Sequence, residues 1–154
     1  MPHGPYAVSL LNTSVSTAIT LVQIKASSSQ PLQLIEARCS QSGSTTSAMQ
    51  RIEIVRKTAA ATVTSYTPLL ETTTDPAAGA AGGTSATGVN ASAEGSDGDV
   101  LLAWDFNVLQ GFLWQPVLED RIWVPVSGII GLKFPGAPGA ALTIDAQLKF
   151  LEYP

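Results

Sequence analysis

DVLLAWDFNVLQGFLWQPVLEDRIWVPVSGIIGLKF, residues 99–134, holds all three tryptophans and a dense run of large apolar side chains. Side chains alternate sides along an extended backbone, so Val100, Leu102, Trp104, Phe106 and Val108 share one face, and Leu101, Ala103, Asp105 and Asn107 the other. That pattern predicts a strand buried on one face. Gly111 ends it, Pro116 blocks uninterrupted ladder pairing, and Glu119-Asp120 forms a polar turn before the β-rich IWVPV. Pro125 confines that run to an edge, a bulge or two short pieces, and Ile129, Ile130, Leu132 and Phe134 follow Gly128 directly. The stretch is expected to supply core strands and much of the stability, at about 1.5–3 kcal/mol for each large apolar side chain buried.

Working outward, residues 141–153 alternate Leu142, Ile144, Ala146, Leu148 and Phe150 with Thr143, Asp145, Gln147, Lys149 and Leu151, the cleanest amphipathic strand in the chain. A PGAPGA turn precedes it. On the other side, residues 75–98 break the composition: six glycines and seven alanines in 24 residues, with Val89 the only large apolar side chain. Such a segment cannot form its own core. Because core strand sequence follows it, and loops of this length are uncommon unless functional, it is expected to lie on something. Residues 84–92 are expected to form an irregular strand within it.

The N-terminal half carries further short strands. Residues 1–5 contain Pro2, Gly4 and Pro5 and read as an extended arm unsuited to a sheet interior. Tyr6, Val8 and Leu10 alternate with Ala7, Ser9 and Leu11. Residues 18–25 and 32–39 repeat the pattern, the latter with Leu32, Leu34, Glu36 and Arg38 opposing Gln33, Ile35, Ala37 and Cys39. Residues 49–58 also show helical spacing at Met49, Ile52, Val55 and Ala59; the β-branched character and the opposition of Ile52 and Ile54 to Arg51, Glu53 and Lys57 favour a strand with a solvated charged face.

A chain of 154 residues is expected to be one domain, large enough to form a core without staples. The single cysteine, Cys39, excludes an internal disulfide and reads as a small buried residue. No apolar run reaches the roughly 18 residues of a membrane helix, and MPHGPYAV lacks the features of a signal peptide, so a soluble protein made in the cytoplasm is expected. Charged residues are 13% of the chain, against about 25% in ordinary globular proteins. A surface so weakly charged suits a protein packed against neighbours. The net charge of −4 offers no electrostatic footprint for nucleic acid. Residues 58–120 contain no Lys or Arg but eight acids, so the chain is polarised along its length.

Sequence motifs for catalysis are absent. There is no dinucleotide fingerprint, phosphate loop, GxSxG elbow, HExxH or Cys/His cluster. The only histidine, His3, lies in the Pro/Gly arm, away from any partner for a triad or a metal. EGSDGD has oxygen ligands but lacks the twelve-residue calcium loop. Trp104, Trp114 and Trp123 are the candidates for stacking on sugars, with core packing the favoured reading. No catalytic, cofactor-binding or metal-ligating residue is therefore assigned.

Eight to ten short strands and no convincing helix predict an all-β, single-domain β-sandwich of jelly-roll type. The opening YAVSLLN, a strand ending CSQSG, the basic MQRIEIVRK, the long Ala/Gly/Thr loop, AWDFNVLQGFLWQP, IWVPVSGIIGLKF and the closing ALTIDAQLKFLE resemble, as a succession over most of the chain, the jelly-roll capsid decoration or cement proteins of tailed bacteriophages. The resemblance implies a homotrimer on the capsid exterior that clamps copies of the major capsid protein, with no cofactor. On this reading the capsid contacts are expected at Pro2, His3, Gly4, Pro5 and Tyr6 of the arm and at Thr84, Val89 and Asn90 of the loop, with subunit contacts from edge strands. The alternative is a carbohydrate- or receptor-binding jelly-roll module of a head fibre or tail appendage.

Overall fold

The computed structural model describes residues 1–154 as two antiparallel sheets packed face to face. In chain order the strands are β1 (His3–Val15), β2 (Ile19–Lys25), β3 (Leu32–Ser42), β4 (Met49–Ala59), β5 (Thr62–Ser65), β6 (Leu69–Leu70), β7 (Gly88–Ala93), β8 (Ser96–Asn107), β9 (Phe112–Trp114), β10 (Ile122–Val124), β11 (Ile129–Phe134) and β12 (Leu142–Glu152). The only helical element is a 3-10 turn at Leu118–Asp120. One sheet runs β10-β3-β12-β1-β6, with β9 pairing on β3 beside β10; the other runs β5-β7-β2-β11-β4-β8.

Within these sheets sits a jelly roll. The orders β1-β12-β3-β10 and β2-β11-β4-β8 arise when successive strands are laid alternately in two sheets, which is the double Greek key. The additions come from residues 60–95, between β4 and β8. There β5 and β7 extend the second sheet beyond β2, and β6 extends the first beyond β1. This insertion, with the division of one edge into β9 and β10, raises the count to twelve strands from the expected eight to ten.

The core between the sheets is a single cluster built from the inward faces of β1, β2, β3, β4, β11 and β12, with Tyr6, Phe134 and Phe150 its largest fully buried side chains. β12 alternates buried and half-buried residues without a break, as its sequence predicts. Two other strands depart from strict alternation because of bulges. In β3 the pairing passes from Leu34 opposite Phe150 to Glu36 opposite Lys149, leaving Ile35 as the extra residue. The inward set is therefore Leu32, Leu34, Ala37 and Cys39, and Glu36 and Arg38 face outward, against the expected grouping. In β1 a bulge at Leu11 and Asn12, with Asn12 at φ 48°, turns Leu11 to solvent.

Two sequence expectations are corrected here. Residues 3–5 belong to β1, where His3 pairs with Glu152, so the free arm is only Met1 and Pro2. Residues 99–134 supply edges as much as core: β8, β9 and β10 border the sheets, and Val100, Leu109, Leu113 and Trp123 are about half exposed. On a border strand a large apolar side chain is buried only in the inward phase: Phe106, Phe112 and Val124 are buried on β8, β9 and β10, whereas Leu113 and Trp123, in the alternate phase, are not.

Candidate functional site

Of the eight expected contact residues, the structure exposes few. Tyr6 and Val89 are buried in the core, Tyr6 stacked on Phe150 with ring centroids 5.4 Å apart. Neither side chain is available to a partner, because the apolar periodicity that placed them on strands also turns them inward. His3, Gly4, Pro5 and Asn90 are half-buried, and only Pro2 and Thr84 stand fully in solvent. The two groups lie apart: Pro2 to Tyr6 end the first sheet, whereas Val89 and Asn90 lie on β7 of the second.

What meets the first group is the beginning of the long loop. The Gly4 amide donates to Asp75 Oδ2 at 2.9 Å, and the Tyr6 hydroxyl donates to the Pro76 carbonyl at 2.9 Å. The backbone bond from Gly4 and the Thr72 hydroxyl hold the Asp75 carboxyl below its usual range. Glu152, at the end of β12, closes the arrangement. It continues the inward phase of Leu142 to Phe150, is 1% exposed, and accepts from the amides of Gly79 and Ala80 at 2.8 and 2.7 Å. A carboxylate on the inward phase of a strand demands partners, and these loop amides supply them. That signal is readable in the sequence at Glu152, though not the identity of the partners.

The remainder of the loop is held on the second sheet. Gln23 of β2 is fully buried, accepting from the Ala61 amide at 2.8 Å and donating to the Ala86 carbonyl at 2.7 Å. Gly88 pairs with Gln23 so closely under β5 that a Cβ there would collide with Val63 Cγ2 and the Thr64 carbonyl oxygen. Asn90 adopts φ 53°, which Asn tolerates, at the bulge where β7 meets β5.

The charges also rearrange. Alternation along β4 places Lys57 on its solvated face, but the side chain is fully buried, 2.7 Å from Asp97 Oδ1 and donating to the Glu94 carbonyl at 3.0 Å. Lys133 Nζ lies 2.6 Å from Asp97 Oδ2 and 3.4 Å from Glu94 Oε2. Glu94 in turn accepts from the Thr20 amide and hydroxyl, both at 2.7 Å. Burial works against the charged Asp97 carboxyl, but the bonds from Lys133 and Lys57 hold it below its usual range. Burial likewise works against the Lys133 ammonium, and Asp97 and Glu94 outweigh it and raise its pKa. Glu94 and Asp97 of EGSDGD are thus spent on lysines, and no three His, Cys, Asp or Glu residues converge as a metal site. With Glu71 on Lys149 at 2.7 Å and Asp105 on Arg51 at 3.4 Å, four of the eight acids of residues 58–120 meet basic side chains from outside that stretch.

The tryptophans divide. Trp104 and Trp114 pack against the core, Trp104 lying 5.1 Å from Phe112 between ring centroids. Trp123 is 48% exposed and packs on Tyr153 at 4.7 Å. Near it in sequence, Leu109, Val117, Leu118 and Val126 are each about half exposed or more, so residues 109–126 carry several uncovered apolar side chains. Cys39 is buried, and that burial, with Asp145 nearby, pushes its thiol up to about 12, which removes it from nucleophilic chemistry.

The class defined by this architecture is a jelly-roll β-sandwich with an ordered insertion between its fourth and fifth core strands. No protein-family profile, curated protein or solved structure matches the chain. No helix is long and apolar enough to cross a membrane.

Proposed function

We propose that this chain is a structural virion protein that decorates an icosahedral phage capsid as a homotrimer, binding the major capsid protein on the outside of the head. The observation that carries the reading is the group of uncovered apolar side chains within residues 109–126, Trp123 among them. Exposed apolar side chains that recur within one stretch suit an interface, and tryptophan and tyrosine in contact are typical of the residues that dominate one. Low charge and a rigidly anchored insertion fit a protein whose role is to adhere rather than to transform a substrate. The resemblance in strand succession supplies the partner.

In this reading the β9–β10 border joins subunits, and the exposed Met1, Pro2 and Thr84 are left for the capsid. Interfaces of about 800 Å² per partner, each modest, sum to tight attachment when one trimer touches several capsomers at once. The test is the protein composition of purified particles together with sedimentation of the isolated protein. A fixed ratio near one trimer per threefold position, and a trimer in solution that Trp123→Ala with Val117→Ser converts to monomer, support the proposal. A few copies confined to a vertex or tail, or a monomer indifferent to heads, overturn it.

A further inference from the structure

Beyond any role in coating a capsid, we infer that the outer face of the first sheet carries a binding groove for a neutral saccharide. The groove has a volume of about 540 Å³, within the range of about 300–1,000 Å³ in which proteins take small ligands. Its floor follows from strand register. Ser9 of β1, Gln147 of β12, Arg38 of β3 and Leu113 of β9 form one continuous row across four strands. Asp145 and Ser40 pair in the row on one side, and Lys149 and Glu36 in the row on the other. The bulge at Ile35 is what puts Glu36 and Arg38 on this face rather than in the core.

The hydrogen-bonding capacity of this floor is not used up within the chain. Gln147 donates to Ser9 Oγ at 2.7 Å, while its Oε1, shielded from solvent, has no partner. A shielded acceptor without a donor is costly, and a ligand hydroxyl at that position relieves it. Glu36 Oε2 accepts from Gln115 at 2.8 Å, but its Oε1 stands 3.9 Å from Arg38 and 4.0 Å from Lys149, beyond hydrogen-bond length. Asp145 accepts from the Asn12 amide through one oxygen only. Arg38, 55% exposed at its side chain, donates no hydrogen bond within the chain.

Free donors and free acceptors are therefore interleaved, and the four charged groups, Glu36, Asp145, Arg38 and Lys149, sum to zero, with Lys149 also held by Glu71 at 2.7 Å. An anion would face two carboxylates and a cation two basic groups. A polyol matches, since each hydroxyl both donates and accepts. The exposed Leu11 and Leu113 on the rim offer apolar surface to ring C–H groups.

The test is a titration of the uniformly ¹⁵N-labelled full chain with neutral sugars, namely glucose, galactose, mannose, N-acetylglucosamine, maltose, cellobiose and lactose, read by amide shifts. At least one is expected to shift the Gln147 and Gln115 side-chain signals saturably. Gln147→Leu and Arg38→Ala should each weaken that binding about tenfold, roughly one hydrogen bond's worth of affinity. Arg38→Ala removes no hydrogen bond within the chain and keeps the test valid if Gln147→Leu perturbs folding. No saturable shift with any sugar, binding unaffected by Arg38→Ala, or preference for glycine or phosphate over every sugar overturns the inference. None of these outcomes depends on whether the protein coats a capsid.

Discussion

Glu152 is the residue on which the attachment of the long insertion depends, and its replacement has a calculable cost. Its carboxylate is 1% exposed and takes the amides of Gly79 and Ala80 at 2.8 and 2.7 Å. A hydrogen bond to a charged group contributes about 1.5–3 kcal/mol. Glu152→Ala removes two and leaves both amides without acceptors, so a loss of about 3–5 kcal/mol is expected. Glu152→Gln keeps the volume and one carbonyl oxygen but turns an NH₂ toward an amide donor, which should cost about half as much, roughly 1.5–3 kcal/mol. For a chain of this length each kcal/mol lowers Tm by about 2–4 °C, so the alanine variant should melt roughly 6–20 °C below the parent. Equilibrium urea denaturation measures the free energies. Hydrogen exchange at Gly79 and Ala80 locates the effect and should accelerate there before the sheet interior responds. If Glu152→Gln lay within about 0.5 kcal/mol of the parent, the range of a neutral surface change, or if those two amides exchanged no faster, the anchoring argument would be refuted.

Three further outcomes are expected. Asp97 is held below its ordinary value of 3.8, so the folded state binds its proton less readily than the unfolded chain; its contribution is complete above that value and fades as pH falls through the folded-state pKa. Lys133 is raised above 10.5, so its contribution is complete below that value and fades as pH rises through the folded-state pKa. Asp97→Asn should flatten both limbs of a stability–pH curve, and unchanged limbs would count against the Lys57–Asp97–Lys133 arrangement. Gly88→Ala should cost at least about 2 kcal/mol by overpacking against Val63 and Thr64, measured by thermal unfolding against an Ala substitution at Gly139, which has open space around it. Cys39 should react with iodoacetamide at pH 8 about a thousandfold more slowly in the native protein than in urea, since its thiol is pushed up to about 12 from an unperturbed value near 8.5; comparable rates would place the thiol outside the core.

Several misplacements share one cause. Val100 and Trp123 are apolar and β-forming, as a core strand requires, yet both are about half exposed: they lie on border strands, and Trp123 takes the outward phase beside the buried Val124. Hydrophobicity says that a segment gains from burial. It does not say whether another strand arrives to cover it. Lys57 shows the converse: its charge predicts solvent, but β8 and β11 bring Asp97 and Lys133 alongside and shut water out. The candidate site was less legible still, since Tyr6 and Val89 were expected at a contact surface and the floor of the groove depends on one bulged residue, Ile35.

What the sequence determined alone is what depends on neighbours within a few residues: the all-β class, the period-two strands, the turn at PGAPGA, the inward phase of β12 and the absence of a catalytic motif. Pairing across the chain settled the rest. That includes which strands lie at borders, which bulges exchange the faces of β1 and β3, how the insertion is tied to Glu152 and Gln23, and which side chains meet in the groove. The physical reason is that alternation is imposed locally by backbone geometry. Register and coverage are settled by hydrogen bonds and contacts between residues far apart along the chain, such as Gln147 and Ser9, 138 positions apart.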